Sequence, residues 1–275
     1  MSRPSHQPDL TELLETAMAA ARQAGAILTR YAQSGFRVEY KNPINLVTEA
    51  DHAAEQSVID SIRSRHPSHS FLAEERGRVD HGSSSYVWII DPLDGTTNFT
   101  HGFPTYCVSI GLEHQGQCVL GVIYDPTRDE LFSATRGGSA HLNGRPIHVS
   151  QTAILDQALL VTGFAYDIRE TQQNNLDHFV RFALRAQGIR RTGSAALDLC
   201  YVAAGRFDGF WEVKLNPWDM AAGTVILKEA GGEVTNFRGD THSLYGKELV
   251  ASNGKIHEAM LSVIQESLRA GPLHP

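Results

Sequence analysis

Cysteine is scarce in this sequence. There are three in 275 residues, Cys107, Cys118 and Cys200, with no C-x-x-C spacing. That excludes a disulfide scaffold and a cysteine zinc site, and predicts buried thiols in a reducing compartment. Long apolar runs are missing too: they reach about five residues, as at 86–90, against roughly 18 for a membrane span. The opening MSRPSHQPDL carries no apolar core of the signal-peptide kind. The expectation is a cytoplasmic protein with no membrane partner. Positive charge is short as well, with 24 Lys and Arg against 31 Asp and Glu, a formal net charge of −7. Such a chain offers little to nucleic acid, which is held by counterion release. An anionic substrate would need the field reversed locally, and a bound metal ion is the group that does this.

Several catalytic signatures are absent. Residues 111–117 read G-x-x-x-x-G-Q without the lysine of a phosphate loop, and no H-E-x-x-H occurs. Residues 137–141 lack the closing glycine of a nucleophile elbow. His66 and His69 flank Pro67 as surface histidines of a loop. Phe210 and Trp211 are expected to pack in a strand. Lys214 is read as solvated, although it could favour an anionic substrate.

What is present is ordinary globular material, 41% hydrophobic, without repeats or a low-complexity linker. Asp9 and Glu12 resemble a capping box before an apolar face running from Leu10 to Leu28. Thr48 and Asp51 start a second helix, which Pro67 stops. Strands are predicted at 71–72, 86–90, 106–112, 118–124 and 130–134, with a hairpin turn at Asn143-Gly144. After about residue 155 strands (159–164, 207–212, 233–237, 248–251) alternate with helices (176–186, 195–204, 219–230, 255–268). This predicts one domain over 1–275 with sub-domains near 1–150 and 151–275, layered as α+β or α/β.

The chemistry concentrates at W-I-I-D-P-L-D-G-T-T-N-F, residues 88–99. An apolar strand ends in Asp91, Pro92 and Gly95 favour a turn that folds Asp94 back beside it, and two hydroxyls follow. Adjacent carboxylates repel unless a cation lies between them, and oxygen ligands without His or Cys select a hard ion, Mg²⁺ before Mn²⁺ or Ca²⁺. The amides of Gly95, Thr96 and Thr97 can then point outward as at a helix N-terminus, where a phosphate is received. Glu74-Glu75 and Asp219 stand at other element ends. Each fragment alone is also a plain turn or a helix cap.

Together the fragments resemble the inositol monophosphatase family, whose members are Mg²⁺-dependent, lithium-sensitive phosphatases. D-P-L-D-G-T-T-N-F at 91–99 and W-D-M-A-A-G at 218–223 look like its two signatures. L-V-T-E-A-D at 46–51, P-S-H-S-F-L-A-E-E at 67–75, F-P-T-Y-C-V-S-I-G at 103–111, G-S-A-A at 193–196 and E-A-G-G at 229–232 extend the likeness over the chain. The resemblance implies a layered αβαβα sandwich of the sugar-phosphatase type and two or three Mg²⁺ ions, with Mn²⁺ or Ca²⁺ able to substitute. Glu74, Asp91 and the Leu93 carbonyl would hold one ion, and Asp91, Asp94 and Asp219 a second. Gly95 and Thr96 would take phosphate oxygens. Glu74, Thr96 and Asp51 would steer the attacking water. Gly193, Ser194, Ala195, Glu212, Asp94 and Asp219 would face the substrate's hydroxyls. The implied substrate is a small phosphorylated polyol or sugar, inositol 1-phosphate first, with fructose 1,6-bisphosphate, NADP or another sugar phosphate as alternatives. A homodimer is implied too, and at least one bacterial relative also acts as a regulatory binding protein. One departure is visible: where the family reads D-x-V-T-x-x-D, this chain has Asn45 at the first position and Asp51 at the last.

Overall fold

The computed structural model describes residues 10–40, 46–80 and 84–270. Asp9 and Asn45 therefore lie outside the described residues. Helix α1 (Leu10–Ser34) buries Leu13, Ala17, Ala20, Ala21, Ala24 and Leu28 along the stripe that the sequence announces. The small strands β1 (Val38–Tyr40) and β2 (Leu46–Thr48) pair antiparallel and deliver the chain to α2 (Glu49–Arg65). The Thr48 hydroxyl caps α2 by accepting from the Ala50 and Asp51 amides, while Asp51 Oδ2 accepts from the Thr48 amide at 2.8 Å.

The chain then builds an eight-stranded sheet from β3 (Ser70–Ala73), β4 (Gly77–Val79), β5 (Tyr86–Asp94), β6 (Cys107–His114), β7 (Gln117–Asp125), β8 (Glu130–Thr135), β9 (His141–Leu142) and β10 (Arg145–Pro146), in the order β10-β9-β8-β7-β6-β5-β3-β4. A short helix α3 (Thr96–Thr100) leaves the end of β5. The β9–β10 turn has Asn143 at φ 49° and Gly144 at φ 75°, the left-handed pair expected of Asn-Gly. A five-stranded sheet follows, from β11 (Leu159–Thr162), β12 (Gly188–Arg190), β13 (Gly209–Val213), β14 (Glu233–Thr235) and β15 (Glu248–Ser252), in the order β12-β11-β13-β15-β14. Its helices are α4 (Leu176–Ala183), α5 (Ala195–Ala203), α6 (Pro217–Glu229) and α7 (His257–Ala270).

Five layers result. Helices α1 and α2 pack on one face of the large sheet, α5 and α6 fill the space between the sheets, and α4 and α7 close the outer face of the small one. Strand alternation puts Phe210 in the central layer and Trp211 in the outer one. Both are fully buried, as strand packing requires. The fold is a layered αβαβα sandwich.

Two glycines set how closely α6 approaches the large sheet. Gly111 and Gly121 face each other across β6 and β7. A Cβ on Gly121 would lie 2.3 Å from the Ala222 carbonyl oxygen, and one on Gly111 would lie 2.7 Å from the Ala221 Cβ. The notch lets α6 sit on the sheet and fixes its first turn, which carries Asp219. Gly121→Ala is expected to cost about 1–3 kcal/mol by overpacking, measured by urea unfolding, and to lower turnover by displacing Asp219.

Three expectations change. Cys118 is only part-buried, while Cys107 and Cys200 are buried. Strand β5 runs through Asp94 with a bulge between Asp91 and Asp94, where a turn was expected at Pro92. Pro92 has no amide to pair, and a bulge tolerates that within a strand. His66 and His69 are half-buried, not free surface groups. Their rings stack at 5.0 Å, His69 stacks on Tyr86 at 4.6 Å, and His69 Nδ1 accepts from Trp88 Nε1 at 3.1 Å.

Candidate active site

Residues three apart on a regular strand point to opposite faces. The bulge in β5 rephases the strand, so Asp91 and Asp94 both line one cleft of about 590 Å³. The strand's end is fixed by Asp91 Oδ1, which accepts from the Leu93 amide at 3.0 Å. Gly95 then turns the chain at φ 97°. A Cβ there would lie 2.9 Å from the Thr105 carbonyl oxygen, so both the conformation and the space require glycine. The short helix α3 starts immediately after.

Three other segments reach the same cleft. Glu74 arrives at the end of β3, with its amide bonded to the Ile90 carbonyl at 3.1 Å. Asp219 stands in the first turn of α6 and its Oδ2 accepts from the Asn216 amide at 2.6 Å. Gly193, Ser194 and Ala195 open α5, and Glu212 projects from β13. The Asp94 carboxylate ties the end of β5 to the start of α5. Its Oδ2 accepts from the Ser194 hydroxyl and the Ala196 amide, both at 2.7 Å. Asn98 Nδ2 adds a second tie, donating to the carbonyls of Thr105 at 2.7 Å and Thr192 at 2.8 Å.

Asp51 lies behind the cleft wall. Its Oδ2 accepts from the Thr48 hydroxyl at 2.6 Å, and its Oδ1 is 3.3 Å from the Thr96 hydroxyl. That hydroxyl has a single proton, which the Leu93 carbonyl at 3.0 Å also attracts. Burial lifts Asp51 to about 6 against the opposing pull of Thr48.

The electrostatics of the group are unfavourable by themselves. Burial raises Asp91 well above the carboxylate range, and the charges of Glu74, Asp94 and Asp219 push the same way. Burial, then the Asp94 charge, brings Asp219 up to about 8. Asp94 is raised by burial, although the Ser194 hydroxyl and the Ala196 amide hold it back. Glu212 is raised well above its usual range by burial and by its neighbour Asp198.

Among the described residues no three His, Cys, Asp or Glu side chains already form a coordination shell. What the four carboxylates share is one cleft, where Asp91 is buried and Glu74, Asp94 and Asp219 are half-buried, and a mutual repulsion that a cation relieves. With the Leu93 carbonyl they make an all-oxygen donor set, and such sets fit a hard divalent ion. The nearby thiol does not compete. Cys107 Sγ lies 4.0 Å from Asp94 Oδ2, and burial with the Asp94 charge keeps it protonated.

The inositol monophosphatase family model matches residues 9–269. The inositol-1-monophosphatase of Synechocystis is 47% identical over 260 residues, 94% of this chain and 91% of its own. The Nus factor SuhB of Pseudomonas aeruginosa is 44% identical, over 93% of this chain and 97% of its own. Among solved structures, the inositol monophosphatase of Anabaena matches with a TM-score of 0.88 at 45% identity, over 97% of this chain and 99% of its own. The chain belongs to the inositol monophosphatase family. As a family member it is a phosphatase, a hydrolase of phosphate monoesters, and the family is metal-dependent.

Within this family member, Glu74, Asp91, Leu93, Asp94, Gly95, Thr96, Gly193, Ser194, Ala195, Glu212 and Asp219 line one cleft. Asp51 touches it only through Thr96. Sequence reasoning missed the wall at residues 163–170, with Phe164, Tyr166, Asp167 and Arg169, and also Arg191 and Asp198. These lie in a polar, aperiodic stretch or beside a known motif, and nothing local marks them. The expectation for Lys214 is corrected too. Its Nζ bonds Asp167 Oδ2 at 2.5 Å and its side chain is 26% exposed.

Proposed function

We propose that this phosphatase hydrolyses the phosphate monoester of a small polyol or sugar, inositol 1-phosphate first, with Mg²⁺ as its cofactor. The observation that carries this reading is the convergence of Glu74, Asp91, Asp94 and Asp219 on the turn that begins at Gly95. Glu74, Asp91, the Leu93 carbonyl, Asp94 and Asp219 would hold two or three ions, Mg²⁺ or in its place Mn²⁺ or Ca²⁺. Divalent ions there supply positive charge to the phosphoryl and leaving oxygens and acidify a water. The amides of Gly95 and Thr96 receive phosphoryl oxygens as they leave β5. By donating to Asp51, the Thr96 hydroxyl turns its lone pairs to the cleft, where they accept a proton of the attacking water. Asp51, lifted to about 6, is a stronger base than an ordinary carboxylate and takes up that proton through Thr96. Glu74 orients the same water from the opposite side. Glu212 and the 193–195 turn, with Asp94 and Asp219, accept and donate to the sugar hydroxyls.

A steady-state assay of phosphate release tests this, run with inositol 1-phosphate, fructose 1,6-bisphosphate and NADP, with Mg²⁺ and with chelator. Release that requires Mg²⁺ and vanishes in Asp94→Asn supports the reading. Equal rates in Asp94→Asn and the parent chain overturn it. Asp51→Asn is expected to lower kcat by about 10²–10⁴-fold, the span of a general base, whereas Asn45→Asp changes it only modestly. The reverse ranking would show that the water-activating acid is misplaced.

The same reading carries a homodimer, lithium inhibition, a reducing cytoplasmic setting and a division near residue 150. On that division the first part supplies the metal and phosphate turn, and the second faces the substrate. Among the described residues no helix is long and apolar enough to cross a membrane. A second reading is favoured by the relatives named Nus factor SuhB, at 44% and 41% identity. On it the chain also serves as a regulatory binding protein. Absence of phosphate release from every substrate, together with no affinity for Mg²⁺, would make that its sole role.

A further inference from the structure

We propose that Gly163, held in place by Asn175, is the seat of the Glu212 carboxylate and so sets how well the cleft reads a polyol's hydroxyl groups. The inference rests on the phosphatase reading and adds two positioning residues that act through Glu212 without touching the substrate. Strands β11 and β13 run parallel with Thr162 opposite Trp211, which brings Gly163 alongside Glu212. A Cβ on Gly163 would overlap both carboxylate oxygens of Glu212 and lie 2.5 Å from its Cδ. The carboxylate therefore rests on bare backbone. The charges around it, Asp198 and Asp94 repelling and Arg191 attracting, draw it in different directions. Contact with Gly163 decides how deep it sits.

Asn175 closes the segment that starts at Gly163. It is buried and takes φ 69°, left-handed backbone that asparagine enters at less cost than most residues. It stands just ahead of α4, where asparagine is a favoured cap, yet its side chain makes no capping hydrogen bond there. The amide reaches across to the two strands instead. Its Nδ2 donates to the Gly163 carbonyl and to the Thr162 hydroxyl, both at 2.8 Å, and its Oδ1 accepts from Trp211 Nε1 at 2.8 Å. The Thr162 hydroxyl gives its own proton to the Trp211 carbonyl. One side chain thus ties the residue under Glu212 to the residue before Glu212 in β13. Both amide protons and the amide oxygen are engaged in a buried network, where a lost partner is costly. A residue kept only to start α4 would cap it.

The test compares kcat/KM for inositol 1-phosphate with that for 4-nitrophenyl phosphate, which has no hydroxyl for Glu212 to meet, in the parent chain, Gly163→Ala and Asn175→Gly. The added methyl at 163 meets the movable end of Glu212, so Gly163→Ala folds and displaces the carboxylate. Glycine at 175 keeps the left-handed backbone and removes the clasp. The inositol-to-nitrophenyl ratio is expected to fall by about tenfold or more in each, the worth of one hydrogen bond to a charged group. The loss should appear in KM for inositol 1-phosphate. A general loosening of the cleft would lower both rates together. In Glu212→Ala the ratio falls as well, and adding Gly163→Ala lowers it no further, because the glycine acts through Glu212. A ratio within about twofold of the parent's in Gly163→Ala, or an equal further fall in the Glu212→Ala background, overturns the seat and leaves the phosphatase reading standing. The parent's ratio in an Asn175→Gly chain that folds overturns the role of Asn175, and Gly163→Ala decides the seat whether or not that chain folds. An unaltered ratio in Glu212→Ala overturns the seat together with the polyol part of the reading. If the parent releases phosphate from neither compound, the phosphatase reading fails, and calorimetric binding of inositol 1-phosphate decides the seat. Weaker binding to Gly163→Ala than to the parent supports it, and equal binding or none overturns it.

Discussion

Asp91→Asn is expected to reduce Mg²⁺-dependent phosphate release by at least about 10³-fold, because several kcal/mol of charge stabilisation pass through the ion-holding group. The same change should make the metal-free protein more stable. Asp91 is raised by burial and by the charges of Glu74, Asp94 and Asp219. An amide removes one member of that repulsion, and its oxygen still accepts from the Leu93 amide, which Asp91 Oδ1 meets at 3.0 Å. A gain of about 1–2 kcal/mol in chelator at pH 8 corresponds to roughly 2–8 °C in Tm for a chain of this size. Calorimetry and a steady-state assay on one preparation check both halves. Full activity, or a lower metal-free Tm, would show that Asp91 does not serve as an ion-holding carboxylate under electrostatic load.

The second large effect concerns pH and metal together. Asp51 rises to about 6 and Asp219 to about 8, each from an ordinary value of 3.8, mainly through burial. A carboxyl raised in the folded state binds its proton more tightly there than in the unfolded chain. Its contribution is complete below pH 3.8 and is lost as pH rises through the folded value, by about 1.4 kcal/mol per pH unit for each fully shifted group. Buried His178 and part-buried His242 act oppositely. Burial lowers each to about 4, so the stability they withhold at low pH returns as pH rises towards 6.5. The two effects oppose below pH 6.5. Between about 6.5 and 8 only the carboxyls change, and the metal-free Tm is expected to fall across that window. Mg²⁺ at about 100 times its Kd should restore about 2.7 kcal/mol, with a larger gain at pH 8 than at 6.5. A Tm that climbs from pH 6.5 to 8 in chelator, or does not respond to Mg²⁺ at pH 8, would refute this account of the cleft.

Periodicity and caps are local, and so they were legible. The apolar stripe of α1, the Thr48–Asp51 cap of α2, the Asn143-Gly144 turn and the apolar strand leading into Asp91 all follow from neighbours within about four residues. Elements of three residues, such as β1, β4 and β12, have too few positions to show a period and gain their order from the strands beside them. The half-buried state of His66 and His69 depends on Tyr86 and Trp88, about twenty residues away.

The sequence by itself determined the family, most of the helices and five of the carboxylates that line the cleft (Glu74, Asp91, Asp94, Glu212 and Asp219), because those features are written in residue types and short spacings. Tertiary structure alone decided three things. The bulge in β5, and not a turn at Pro92, puts Asp91 and Asp94 on one side. The Gly111–Gly121 notch lets α6 bring Asp219 close. The chain between β11 and α4 walls the cleft and lends Asp167 to Lys214. Each is a contact between segments far apart in the chain, and residue type there reports only what the packing permits.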